Sequence, residues 1–118
     1  MKRFISSLSS AFQGIVHVVR QERNARIHLL AGIAVLIAAA WLQVTNYELA
    51  ALFFCIVIVF LAEIVNTALE KVLDLLHPEQ NHQVKVVKDI AASAVLVAAI
   101  GAAGIGVVVF YPYLAEWL

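Results

Sequence analysis

The chain has 118 residues, 64% of them hydrophobic and 14% charged, where soluble domains carry roughly 45–50% and about 25%. A soluble globule of this size has too little interior for that much apolar surface, so lipid is the solvent that fits. Net charge is zero, which leaves no basic excess to attract nucleic acid, and the single Cys55, inside an apolar run, excludes an internal disulfide and a cysteine-rich zinc site.

The length suits a single domain, 1–118. Met1, Lys2 and Arg3 followed by apolar residues faintly resemble a signal peptide, but Ser6, Ser7, Ser9 and Ser10 interrupt the run and Arg20, Arg23 and Arg26 follow it, so no cleavage is expected. Phe4, Ile5, Leu8, Phe12, Ile15, Val16 and Val19 recur at helical spacing, with Val18 off the stripe. Residues 2–20 are therefore predicted as an amphipathic helix lying on the membrane surface.

The first long apolar run covers 27–42, broken only by His28 and closed by Trp41 as an interfacial anchor. Its residues reach only about 24 Å as a helix, short of a hydrocarbon core of ~30 Å, so the span is expected to start near 25. Residues 43–48 form a turn. The second span, 47–76, continues past Glu63 through good helix formers and stops at His77-Pro78, because the residue before proline avoids the α region. The third, 88–112, carries Ala94, Ala98, Ala102 and Gly106 at four-residue intervals, a row that lets another helix approach closely. Tyr111, Pro112, Tyr113 and Trp117 mark its far interface.

The predicted fold is thus an all-α integral membrane protein with three transmembrane helices and an N-terminal surface helix. Arg20, Arg23 and Arg26 precede the first span, and Lys71, Lys85 and Lys88 flank the 77–89 loop, whereas the 43–48 loop and the tail carry no cation. The positive-inside rule then places the N-terminus and the 77–89 loop in the cytoplasm and the C-terminus outside.

The chemistry sits on the second span. At 100° per residue Glu63, Asn66, Glu70 and Asp74 fall within an arc of about 80° and form a stripe roughly 16 Å long. It runs from the hydrocarbon edge to the headgroup zone. A carboxylate within a span is costly and usually marks a reaction or ion path. Glu63 has the surroundings of a general base. Clustered carboxylates repel, a cation relieves this, and hard oxygen ligands suit Mg²⁺, with Glu22 a further ligand on the same side. Lys85, Lys88 and Asp89 stand at the mouth of the third span, the equipment of a nucleotide-phosphate site, although neither a P-loop nor a kinase glycine loop is present. His28 as a polar packing residue, His77 as a helix end and Lys71 as a lipid-phosphate contact are the simpler readings of those side chains.

The run Ala62-Glu63-Ile64-Val65-Asn66-Thr67-Ala68-Leu69-Glu70-Lys71-Val72-Leu73-Asp74 resembles the E-x-x-N-S/T-A-I/L-E-x-x-x-D signature of the prokaryotic diacylglycerol kinase family. Lys88-Asp89 followed by Ala91-Ala92-Ser93-Ala94-Val95-Leu96 resembles its K-D segment, and Gly14 and Glu22 keep the spacing of its N-terminal glycine and glutamate. The resemblance covers nearly the whole chain. It implies an Mg²⁺-dependent kinase of the bacterial cytoplasmic membrane that phosphorylates a lipid alcohol with ATP at the cytoplasmic face. Glu63 matches the catalytic base, which meets the lipid together with Ser93. Glu22 and Glu70 match the metal ligands. Arg3, Glu22, Asn66, Glu70, Asp74, His82, Lys88 and Asp89 match nucleotide-site positions. Family members are homotrimers with sites between neighbouring chains. In this sequence His82 lies one residue closer to Lys88 than the family histidine, Ser93 is shifted by one, and Ser10 replaces a nucleotide-contacting tyrosine. The run Glu22-Arg23-Asn24-Ala25-Arg26-Ile27-His28 is closer to the undecaprenol kinase branch, so diacylglycerol and undecaprenol both stand as substrates.

A cation or proton transporter would use the same carboxylates as a relay, but it needs polar groups across the whole bilayer, and the outer halves of the second and third spans have almost none. A scaffold without catalysis explains the spans but not the acidic stripe.

Overall fold

The computed structural model describes residues 1–118. Four helices account for the chain: α1 (Lys2–Gln21), α2 (Arg23–Leu42), α3 (Asn46–Leu76) and α4 (His82–Ala115). The last three are long and apolar enough to cross a membrane, so the protein is an all-α membrane protein with a separate N-terminal helix.

Phe4, Ile5, Leu8 and Phe12 leave α1 as an exposed apolar stripe, the face a lipid surface takes. The flank of that stripe does a second job. Val18, off the stripe in the sequence, is the one buried residue of α1, where that helix meets α2 and α3. The joint between α1 and α2 is the single extended residue Glu22 (φ −108°, ψ 116°). Its N–H donates to the Val18 carbonyl at 2.9 Å. The Arg26 guanidinium donates to the carbonyls of Val19 (3.0 Å) and Arg20 (2.8 Å), satisfying acceptors that a helix end otherwise leaves open.

At the far end of α2, Gln43 adopts a left-handed conformation (φ 54°, ψ 50°). The Gln43 N–H donates to Ala40 O and the Val44 N–H to Ala39 O, a Schellman stop. Thr45 then caps α3 in a reciprocal box. Thr45 Oγ1 accepts from the Glu48 N–H at 3.2 Å, and Glu48 Oε1 accepts from the Thr45 N–H at 2.9 Å. Tyr113, near the end of α4, donates its hydroxyl to the same Glu48 oxygen at 2.5 Å. Ala39, Leu52 and Val109 join the three spans just inside this end, and Trp41 meets Trp117 edge-on at 5.0 Å.

Asn81 caps α4 by accepting from the Gln83 N–H at 2.8 Å. This helix is longer at both ends than the expected span of 88–112, and it carries Pro112 within its last turn. Proline removes one backbone donor there without ending the helix. α3 is the central element, packed on α2 along one side and on α4 along the other. The tightest crossing is at Gly32 of α2, where a Cβ would stand 2.9 Å from Ile56 of α3. A largely apolar groove of about 650 Å³ opens between α2 and α4, with α3 as its floor and His28 at one end. Only 9 of 118 residues are buried by the chain itself, so most of the apolar surface is left for lipid or for further copies of the chain.

Candidate active site on the central helix

The stripe of α3 descends from water into the protein. Asp74 is exposed, Glu70 and Asn66 are half-buried, and Glu63 is 3% exposed. The helical repeat sets this gradient, because residues four apart stack on one face as α3 passes beneath α2. The Asn66 amide donates to Glu70 Oε1 at 3.4 Å, a weak tether between adjacent turns. Glu63 Oε1 lies 3.3 Å from His28 Nε2 of α2, but without the alignment of a hydrogen bond. That oxygen, Asn66 Oδ1 and Thr67 Oγ1 are buried without a protein partner. A buried unpaired polar atom costs about 1–3 kcal/mol, so three of them within residues 63–67 call for polar groups from elsewhere.

Glu22, at the α1–α2 joint, and Glu70, two turns along α3, both lie near enough to Glu63 for their charges to bear on it. Further out, Lys88 donates to Asp74 Oδ1 at 2.6 Å, joining α4 to α3. Asp74 stands one turn beyond Glu70 on the same face of α3, so the series from Glu63 to Lys88 is continuous. Beyond it, Asp74, His82, Lys85 and Lys88 line a polar recess of about 640 Å³ under the 77–81 loop. One polar chamber, one graded stripe and one apolar groove therefore meet along α3.

Glu63, Asn66, Glu70, Asp74, Lys88, Glu22 and His82 are thus gathered along this path. Arg3, Asp89 and Ser93 are not gathered by one chain. Arg3 sits at the distal end of α1. Asp89 accepts from Lys85 at 2.7 Å on an exposed face. The exposed Ser93 hydroxyl donates to its own helix at Ile90 O (2.6 Å). Two participants were not assigned from the sequence. His28, expected as a packing residue, faces Glu63. Thr67 lies four residues after Glu63, and that spacing was the available signal.

No three His, Cys, Asp or Glu side chains converge closely enough to cage a metal. The donor set still fits Mg²⁺, which typically takes one or two carboxylates and leaves its remaining positions to water and substrate phosphates. Glu22 and Glu70 are the carboxylates available, and Asn66 tethers the second.

Residues 9–110 match the family described as prokaryotic diacylglycerol kinase. A diacylglycerol kinase of Synechocystis sp. is 40% identical over 101 residues, covering 85% of this chain, and the chain spans 58% of that relative's length. An undecaprenol kinase of Bacillus subtilis is 36% identical over 114 residues, covering 97% of this chain and 93% of the relative.

Proposed function

The chain belongs to the prokaryotic diacylglycerol kinase family, a lipid kinase by descent, and on that premise we propose that it transfers the γ-phosphate of ATP to the hydroxyl of a membrane lipid alcohol at the cytoplasmic face of the bacterial inner membrane. The observation that carries this reading is the position of Glu63. Its buried, unpartnered oxygen lies beside His28, where the apolar groove ends, and at the foot of the stripe that leads to the polar recess.

In this reading the lipid tail lies against the apolar spans and its hydroxyl meets Glu63. Nucleotide phosphates occupy the wet end, near Lys88 and the recess that includes Asp74 and His82. Glu22 and Glu70 would hold Mg²⁺, which when bound would neutralise charge on those phosphates. Asn66 keeps Glu70 in place. Lys88 offsets charge on the transferring phosphoryl group. The Glu63 carboxylate accepts the alcohol proton as the oxygen attacks the γ-phosphorus in line, ADP departs, and a lipid phosphate monoester remains. The positive-inside pattern supports the orientation with the N-terminus and the 77–81 loop in the cytoplasm. Arg3, Asp89 and Ser93, which one chain leaves apart, are the positions through which neighbouring copies in a trimer would complete the walls.

Labelled ATP and Mg²⁺, given to purified protein with diacylglycerol and undecaprenol side by side, test the reading. Label in either lipid supports it and identifies the acceptor. Label in neither, with the protein folded, overturns it.

A further inference from the structure

We propose that His28 is a positioning residue for the reacting carboxylate, setting Glu63 at the end of the apolar groove so that one of its oxygens faces the incoming lipid hydroxyl. This inference rests on the kinase reading above.

His28 is the single residue that belongs to both halves of the site. It lines the groove between α2 and α4, and its Nε2 lies 3.3 Å from Glu63 Oε1. The other residues of the groove are apolar or small, apart from Cys55 and the distant Tyr111, so His28 is its one strong hydrogen-bonding group at the Glu63 end. Glu63 needs such a neighbour. It is 3% exposed, and no protein donor completes Oε1. A carboxylate side chain in that state has rotamer freedom about its terminal torsions that must be removed before it can meet a proton in line. The helix register restricts which residue can do this. Ala25 and Gly32, one turn on either side of His28, are both buried, and Gly32 fixes the approach to α3 at Ile56. The imidazole is thereby held over Glu63 by the helix crossing. Its Nε2 stands 3.3 Å from one carboxylate oxygen, and an alcohol entering from the groove meets the same pair of atoms. The structure thus assigns His28 a place beside the reacting atoms rather than in the packing.

The test is steady-state phosphorylation of a lipid alcohol in detergent micelles by His28→Ala, His28→Gln and Glu63→Gln, with Mg-ATP affinity and thermal melting measured on each. His28→Ala is expected to lower kcat by about 10²-fold, the order lost when a reacting group is misplaced by an ångström, with the KM for ATP and the melting temperature near those of the parent. Glutamine places an amide N–H close to the position of Nε2, so His28→Gln is expected to recover most of the loss. In the Glu63→Gln background, adding His28→Ala is expected to change nothing further. Parental kcat in His28→Ala, or a His28→Gln variant that melts normally yet is no better than His28→Ala, overturns the inference while leaving the kinase reading in place if Glu63→Gln is inactive. High activity in Glu63→Gln overturns the base assignment and this inference with it.

Discussion

A carboxylate within a lipid-crossing helix costs on the order of 2–3 kcal/mol at mid-span, and less toward an edge. Glu63 is buried by its own chain as well, beside Thr67 and Asn66, whose oxygens also lack protein partners. Selection for stability alone would replace such a group with leucine. Its retention fits a base that must sit between a lipid and a nucleotide. Glu63→Gln keeps the shape and removes the proton acceptor, so lipid phosphorylation is expected to fall by about 10²–10⁴-fold, with Mg-ATP binding by calorimetry unchanged. Turnover near the parental rate would remove the base role. In the proposed reading Glu70, half-buried and tethered by Asn66, has a different task. Glu70→Ala is expected to weaken Mg-ATP binding by at least about tenfold, the usual order for a group that orients or supplies a metal ligand. Unchanged affinity in a titration would contradict its metal role.

At the scale of the helices, the sequence patterns and the structure agree where one helix decides the outcome. The α1 stripe, the three apolar lengths and the Glu63–Asn66–Glu70–Asp74 alignment follow from a 3.6-residue repeat and were legible before any coordinates. Features requiring two helices were not. Val18 falls off the lipid stripe and is the point where α1 is buried against its own bundle, which the repeat within α1 does not specify. His28 could not be paired with Glu63 from sequence, since the pair depends on where α2 crosses α3. The Tyr113–Glu48 bond joins residues 65 positions apart, and no local pattern encodes it. The crossing itself is testable. Gly32→Leu puts a branched side chain where a Cβ already stands 2.9 Å from Ile56, so α2 must move and carry His28 off Glu63. The expected outcome is a lower melting temperature in detergent together with reduced kcat, whereas Gly14→Ala, with open space around its Cβ, is expected to stabilise α1 by roughly 0.5–1 kcal/mol. At the other end of the bundle, Thr45→Ala removes the α3 cap and is expected to cost about 1 kcal/mol, read as a lower melting temperature with catalysis unchanged.

For the whole molecule the governing fact is how little of it is interior. The molecule measures 54 × 44 × 20 Å, so it is thin in one direction, and its groove stays open between α2 and α4. Lipid can cover leucine and isoleucine, but it gives no reason for Gly101 and Gly104 on α4. Both are exposed, and neither has an atom within 4 Å of where its Cβ would be. Glycine within a helix costs about 1 kcal/mol against alanine, and in membranes small residues are placed where another backbone comes close. Ala98, Ala102 and Gly106 form a separate, half-buried row, and Ala102 and Gly106 line the groove. A second copy of the chain packed on these glycines would relieve the thinness and leave the groove open to lipid. If copies of the chain pack on these glycines, Gly101→Leu and Gly104→Leu, alone and combined, are expected to lower the sedimentation coefficient of the purified protein in mild detergent, the proposed trimer giving way to monomer, with activity lost in proportion. Ile100→Leu, adjacent in sequence and already exposed to 63%, is expected to change neither. If the glycine variants sediment and turn over like the parent, the walls of the site do not come from copies packed on this face of α4.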